Sequence, residues 1–233
     1  MTVLDLNQIE RVLVVVAHAD DETLMAGATL RTLSSHGSEV KAMSFTDGVS
    51  SRPSGSKREI NERRESAIGA SHELGFTWIS QQTYADQLLE REPLIRIAGH
   101  IEEAVRDFSP DLLITHSSAD LNSDHRRVLE ASLVACRPRV DFPITIISGE
   151  VASSSHWEAG VAAKPFQPLN LFVDVSSEAW EAKIRALASY KQELRAWPDA
   201  RSLEALDALS KFRGSTVALR RAEAFEIQRM ISG

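Results

Sequence analysis

A single cysteine, Cys136, excludes an intrachain disulfide and fits a reducing compartment. No stretch approaches the roughly 18 consecutive apolar residues of a membrane span. The first residues, Met1 to Gln8, lack the basic start and long apolar core of a signal peptide, so the expected location is the cytoplasm. Basic residues are outnumbered, 26 Lys and Arg against 33 Asp and Glu, for a formal net charge of −7. That balance argues against a nucleic-acid partner, whose footprint is a basic surface. Linker composition is missing too. The only loop-like stretch of any length runs from Asp47 to Lys57. It is too short to tether two domains and suits a mobile lid or specificity loop. Without repeats or low-complexity tracts, the 233 residues are expected to form one domain, 1–233.

Glycine is also absent where a nucleotide cofactor would need it. After the apolar run Val12 to Ala17 the chain reads His18-Ala-Asp-Asp-Glu22, with no glycine before Gly27. A pyrophosphate arriving there would meet carboxylates instead of a glycine-rich turn, which argues strongly against a cofactor-binding protein or oxidoreductase on a Rossmann-like sheet. What stands there instead needs its own explanation. The valine-rich run reads as a strand buried on both faces. The three acids around its one imidazole repel one another and are costly near a core unless a cation compensates.

The rest of the chain alternates strand and helix signals. Strands are expected over 12–17, 40–46, 77–79, 111–116, 144–151 and 170–175. Helices are expected over about 22–35, 57–74, 94–108, 125–137, 177–194, 203–212 and 217–231. Their marks are Gly37 and Gly75 as stops, Pro93 in a first turn, and Leu94, Ile97, Ile101, Val105 and Phe108 on one face. The pattern implies an α/β, Rossmann-like fold with a mostly parallel sheet and helices on both faces.

In a parallel sheet the strand ends at 17 and 116 share one edge. His18, Asp20 and Asp21 can therefore meet His116, Asp120, Asp124 and His125, about a hundred residues away. Two imidazoles and one carboxylate leave an open position, the donor set of a catalytic zinc. The plainer alternatives are a solvated acidic turn at a helix start for 18–21 and a capped helix-start histidine for His125. The pairing of two such clusters at the same sheet edge favours the metal.

These residues resemble the PIG-L/LmbE-like zinc-dependent de-N-acetylases, with His18-Ala-Asp-Asp-Glu22 matching their first signature and Asp124-His125 their later pair. The likeness extends to Thr46-Asp47-Gly48, Arg63, Phe166 to Asn170, Phe172 to Val175, Lys183 with Tyr190, Arg213-Gly214 and Ala222 to Phe225. It implies that His18, Asp21 and His125 bind zinc, with iron(II) as the alternative ion. It implies that Asp20 is the general base, and that Asp47 and Arg63 hold substrate hydroxyls, with Asp120 on the substrate side. Asn122 stands where some members carry a histidine that stabilises the transition state, and His116 is the nearest replacement. Ala19 replaces the usual proline and Ser66 a frequent glutamate. The implied activity is removal of an acetyl group from an N-acetylated amino sugar or glycoconjugate, by a small-molecule enzyme that is open to self-association. The competing readings are an amidase for a larger acyl or thiol conjugate, and a catalytically silent sugar-binding module.

Overall fold

The computed structural model describes residues 5–53, 55–138, 144–157 and 169–231. Phe166 to Pro168 of the family-like segment lie outside the described residues.

Seven strands form one sheet: β1 (Arg11–Val16), β2 (Glu39–Thr46), β3 (Thr77–Tyr84), β4 (Leu112–His116), β5 (Thr145–Gly149), β6 (Leu171–Asp174) and β7 (Ala222–Arg229). Their order is β3-β2-β1-β4-β5-β7-β6. The first five in that order run parallel, and β7 is antiparallel to both β5 and β6. Among the described residues six α-helices accompany them: α1 (Asp21–Ser35), α2 (Lys57–Leu74), α3 (Leu94–Phe108), α4 (Ser123–Ala135), α5 (Ser177–Ser189) and α6 (Leu203–Ser215). No described helix is long and apolar enough to cross a membrane.

The two-residue period of β1 divides the core. Val12, Val14 and Val16 pack with Leu30 and Leu33 of α1, Ala67 and Leu74 of α2, and Leu187 of α5. Leu13, Val15 and Ala17 pack with Ile97, Ile101 and Phe108 of α3 and Val128 and Ala131 of α4. A strand covered on both sides has no polar face, which is why this run is continuously apolar. From β1 the chain moves outward to β2 and β3 and then returns to β4 on the other side of β1. The loops leaving β1 and β4 therefore diverge, and a crevice opens at the carboxyl edge between them.

One expected element is overturned. The helix predicted over 217–231 is strand β7. Its Ala, Glu, Gln and Arg are helix formers by propensity, but β5 and β6 each offer it a ladder, and pairing on both sides satisfies its backbone. Glu223, Phe225 and Ile227 share the face toward α1 and α5. Two boundaries also differ. β3 runs to Tyr84, past the expected end at 79, and α5 stops at Ser189, so that the stretch expected to continue as helix to 194 is a loop.

β7 is fastened to α1 by a buried ion pair. Lys183 Nζ of α5 donates to Glu223 Oε1 at 2.7 Å and to the Leu24 carbonyl at 2.8 Å. Glu223 also accepts from the N–H groups of Ala28 (3.1 Å) and Thr29 (2.7 Å). Gly27 makes the approach possible, since a Cβ there would lie 3.0 Å from Lys183 Cγ. Breaking a buried pair from one side leaves an uncompensated charge. Lys183→Ala is therefore expected to destabilise the fold by about 3–5 kcal/mol, and the double change Lys183→Met/Glu223→Leu by clearly less. Urea unfolding midpoints of the two variants check this.

Candidate metal centre and active site

Buried β1 delivers His18 to the carboxyl edge, and α1 starts immediately behind it. Between them Asp20 is the helix N-cap at φ 144° and ψ −26°, a conformation that costs a side-chain-bearing residue energy. Local bonds hold it there. Its N–H donates to Glu22 Oε2 at 2.9 Å, and its carbonyl accepts from the N–H groups of Thr23 (3.1 Å) and Leu24 (2.9 Å). Glu22 is itself buried, and its Oε1 accepts from the Thr23 hydroxyl at 2.7 Å and the Tyr190 hydroxyl at 2.8 Å. The turn aims Asp21 inward and leaves Asp20 pointing elsewhere.

Three ligand-type atoms from two distant segments converge. His18 Nδ1 lies 3.1 Å from Asp21 Oδ2 and 3.1 Å from His125 Nε2, and His125 Nε2 lies 3.2 Å from Asp21 Oδ2. Four ligands about 2.0–2.1 Å from a tetrahedral ion stand about 3.3 Å apart, so this triangle has nearly the edges such a site needs. Asp21 Oδ1 is buried without a hydrogen-bond partner, as expected of a carboxylate whose charge is meant for a cation. His18, Asp21 and His125 could together hold a metal ion.

The far nitrogen of each imidazole is tied to carboxylates. His125 Nδ1–H donates to Asp120 Oδ2 at 3.0 Å, and the hydroxyls of Ser154 (3.1 Å) and Ser155 (2.6 Å) donate to the same oxygen. His18 Nε2 faces Asp86 Oδ1 at 3.0 Å and Asp124 Oδ2 at 3.3 Å. Asp124 is fixed in turn by the N–H groups of Gln87 (2.8 Å) and Leu89 (3.0 Å). Such outer carboxylates set the tautomer and orientation of a ligating ring. His18, Asp86 and Asp124 also have the spacing of a second cation site. A ring that offers Nδ1 to one ion carries its proton on Nε2, however, so this side serves as the acceptor.

The charges respond to this crowding. Burial pulls His125 down, but Asp21 and Asp120 outweigh it and lift the ring to about 9. His18 is raised in the same way, by Asp21, Asp124 and Asp86 against burial. Burial raises Asp21, yet the two imidazoles hold its carboxyl well below the usual range. Asp20 differs. Burial lifts its carboxyl, although Arg63 and Arg201 pull the other way. Arg63 Nη2 donates to Asp20 Oδ1 at 2.7 Å, and Arg201 Nη1 to Oδ2 at 3.2 Å.

Several residues singled out in the sequence occupy other posts. His116 ends β4 fully buried, and its Nε2 accepts the Ala17 N–H at 2.8 Å. That nitrogen has no proton to donate, and burial followed by His125 drives its pKa down to about 3. The ring stacks on His125, centroids 4.0 Å apart and planes 10° apart, so it seats a candidate ligand, while its Nδ1 is buried without a hydrogen-bond partner among the described residues. Asp120 is buried and its Oδ2 is taken up by His125, Ser154 and Ser155. Asp47 closes its own turn, with Oδ1 accepting from the N–H groups of Val49 (3.0 Å) and Ser50 (2.9 Å). Arg63 is spent on protein acceptors: the carbonyls of Ala19 (3.0 Å) and Gly48 (3.2 Å), Glu193 (2.7 Å), and Asp20. Gly48 must lack a side chain here, because a Cβ would stand 2.6 Å from Arg63 Nε. Asn122 caps α4, with Oδ1 accepting the Asp124 N–H at 2.9 Å, and its amide nitrogen has no partner among the described residues.

Asp86, Glu193 and Arg201 are the site-lining residues that sequence reasoning missed. For Asp86 a signal existed. It lies just beyond β3, at the same carboxyl edge as His18 and His116, and ending that strand at 79 concealed this. Glu193 and Arg201 lie in the loop between α5 and α6, and nothing in their local sequence marks them.

A buried triangle of two histidines and one aspartate, in the crevice of an α/β sheet, defines a candidate metal-dependent hydrolase site. The chain belongs to the PIG-L family: the model described as GlcNAc-PI de-N-acetylase matches residues 13–136, more than half of the chain and every residue of the triangle. A curated relative, the probable N-acetyl-alpha-D-glucosaminyl L-malate deacetylase 2 of Bacillus cereus, is 28% identical over 196 residues, covering 79% of this chain and 84% of that protein. The zinc-inhibited form of teicoplanin deacetylase Orf2 superposes with a TM-score of 0.76 at 16% identity, covering 93% of this chain and 97% of that one. The 4-carboxy-2-hydroxymuconate hydratase GalB from Pseudomonas putida KT2440 superposes with a TM-score of 0.70 at 16% identity, covering 96% and 99%. At such identities the likeness speaks for the fold alone, and a fold shared by deacetylase and hydratase leaves the reaction to the site.

A cation entering the triangle must displace the protons that His18 and His125 hold without it. Metal loading at pH 7 is therefore expected to release protons, and apparent affinity should rise with pH as the two rings lose their protons, His125 at about 9, and fall on acidification. Calorimetric titration of the metal-free protein in two buffers of different ionisation enthalpy reads the proton count. Asp120→Asn is expected to weaken metal binding by about 10–100-fold.

Proposed function

We propose that this chain, a hydrolytic de-N-acetylase by family, removes the acetyl group from an N-acetylated amino sugar or its conjugate. The reading takes 1–233 as one catalytic domain, with His18, Asp21 and His125 as ligands of a divalent cation, zinc, or iron(II) as the alternative. The observation that carries it is the triangle with 3.1–3.2 Å edges, backed by outer carboxylates and flanked by a carboxylate that is not part of it.

What a divalent cation supplies in such a site is Lewis acidity, which brings the pKa of a water near 7 and polarises an amide carbonyl. The chain's own groups do the rest. Asp20 is the base. A carboxylate has about four acceptor directions, so the bonds from Arg63 and Arg201 leave it capacity for a proton from water. Burial favours its protonated form, which suits a group that takes up a proton and returns it to the departing amine nitrogen. Amide and water then yield acetate and a free amine. Asp120, Asp86 and Asp124 orient the two imidazoles, and His116 supports one of them from below. Asn122 is left as a donor to the developing oxyanion, because its amide hydrogens have no protein acceptor among the described residues.

Metal analysis combined with an acetate-release screen over N-acetyl sugars tests the reading. Asp20→Ala is expected to retain metal and lose acetate release by about 10²–10⁴-fold. His125→Ala is expected to lose both. Full acetate release by metal-replete Asp20→Ala would remove Asp20 from the role of base.

A further inference from the structure

We infer that the turn after β5 is one positioning element serving both halves of the candidate site: its serine hydroxyls hold Asp120 behind His125 and Arg201 behind Asp20. For the roles of His125 and Asp20 the inference rests on the de-N-acetylase reading. The contacts themselves stand apart from it.

The contacts come from consecutive residues. Ser153 Oγ accepts from Arg201 Nε at 3.2 Å, and Arg201 Nη1 donates to Asp20 Oδ2 at 3.2 Å. The Ser154 and Ser155 hydroxyls donate to Asp120 Oδ2 at 3.1 and 2.6 Å, and the same oxygen accepts from His125 Nδ1. A carboxylate oxygen that receives two hydroxyls and an imidazole N–H has little freedom to turn, and the ring it orients shares that constraint. Ser155 Oγ also accepts the Val151 N–H at 2.9 Å, which leaves its own proton for Asp120. Asp120 and Arg201 sit in different loops, and this turn touches both.

The turn is held in a conformation it would not choose alone. Ser153 has φ 94° and ψ −85°, near the rarer form of the γ-turn, which strains a residue that carries a Cβ. Such a conformation persists only where its surroundings over-determine it, and instances cluster at active sites. The surrounding bonds are present. The His156 N–H donates to the Ser153 carbonyl at 2.9 Å, the Ser155 N–H to that of Val151 at 3.2 Å, and the Leu121 N–H to that of Ser154 at 3.1 Å. Glu150, buried just before the turn, clasps its two ends together. Its Oε2 accepts from His156 Nε2 at 2.9 Å. Arg213 of α6 adds two bonds, Nε to Oε1 at 2.8 Å and Nη2 to Oε2 at 2.6 Å. Burial raises the Glu150 carboxyl, but His156 and Arg213 together hold it below its ordinary range, so the clasp stays charged. A turn that only joined two elements would need neither a strained serine nor a buried carboxylate at its root.

Cobalt(II) titration of the metal-free protein tests the ligand half without turnover, because the visible absorption of the bound ion reports ligand geometry as well as affinity. Ser154→Ala/Ser155→Ala protein is expected to bind cobalt about tenfold more weakly, with a shifted absorption band. Added to Asp120→Asn, the same pair should cause no further loss, since hydroxyls that act through Asp120 lose their effect with it. His156→Ala should weaken binding, and His156→Gln, which keeps an N–H for Glu150, should restore it. Ser153 tests the base half. Ser153→Gly and Ser153→Ala both remove the hydroxyl, but only glycine relieves the backbone. The glycine variant should have the higher urea midpoint, and both should lose kcat for acetate release by about tenfold with KM little changed. Unchanged cobalt binding in the serine-pair variant, a loss that adds in full to that of Asp120→Asn, His156→Gln as weak as His156→Ala, or full kcat in Ser153→Gly overturns the inference. Wild-type protein that takes up no cobalt overturns the metal reading and this inference with it. If the cobalt results hold while no N-acetyl sugar releases acetate, the de-N-acetylase reading fails, the Ser153 half falls with it, and the positioning of His125 stands.

Discussion

One buried oxygen organises the site. Asp21 Oδ2 stands 3.1 Å from a ring nitrogen of His18 and 3.2 Å from one of His125, at the end of a strand with no access to water. A carboxylate in that place is affordable only with positive charge beside it. Without a metal, protons on the imidazoles provide the charge, and with one the ion does. Much of the surrounding structure keeps those three groups together and correctly turned. β1 and β4 bring the two segments to one edge, Asp120, Asp86 and Asp124 fix the rings, and His116 lies flat against His125.

The run Asp20-Asp21-Glu22 shows how environment divides like residues. All three are buried. Asp21 faces two imidazoles and stays ionised. Asp20 faces two guanidinium groups that only partly offset its burial. Glu22 receives two hydroxyls and a backbone N–H, and burial lifts its carboxyl to about 7. The three roles follow: candidate ligand, candidate base, and the brace that holds the base in a costly backbone conformation. Tyr190 reaches that brace from the end of α5, which ties the geometry of the first loop to a segment almost 170 residues later.

The structure also corrects which polar residues stand free. Arg63, Asp47 and Asp120 attract attention as polar residues near a family-like motif, yet each is committed to the protein itself. Asp47 closes a turn, Asp120 turns a histidine, and Arg63 fastens Asp20 to Gly48 and Glu193. Nitrogens near the site that lack a hydrogen-bond partner among the described residues include His116 Nδ1 and the amide of Asn122. A residue's type announces what it can bond, and its neighbours in space decide what remains unbonded.

The sequence by itself determined the double-covered β1, the two polar segments at strand ends and the α/β class, because continuous apolar runs, glycine stops and strand-end polarity are written in local pattern; the choice of His18, Asp21 and His125 among seven candidates came from the family resemblance. It misread 217–231, where helix-forming residues are taken into a sheet by two waiting strand edges, and it ended β3 early, which concealed Asp86. Only the tertiary structure decided that His116 stacks on His125, that Glu22 and Tyr190 brace Asp20, and that Arg201 reaches Asp20 from 181 positions away. Those contacts join segments with no sequence relation to each other, and the physical quantity that matters in each, which lone pair or N–H is already taken, exists only once the chain has folded.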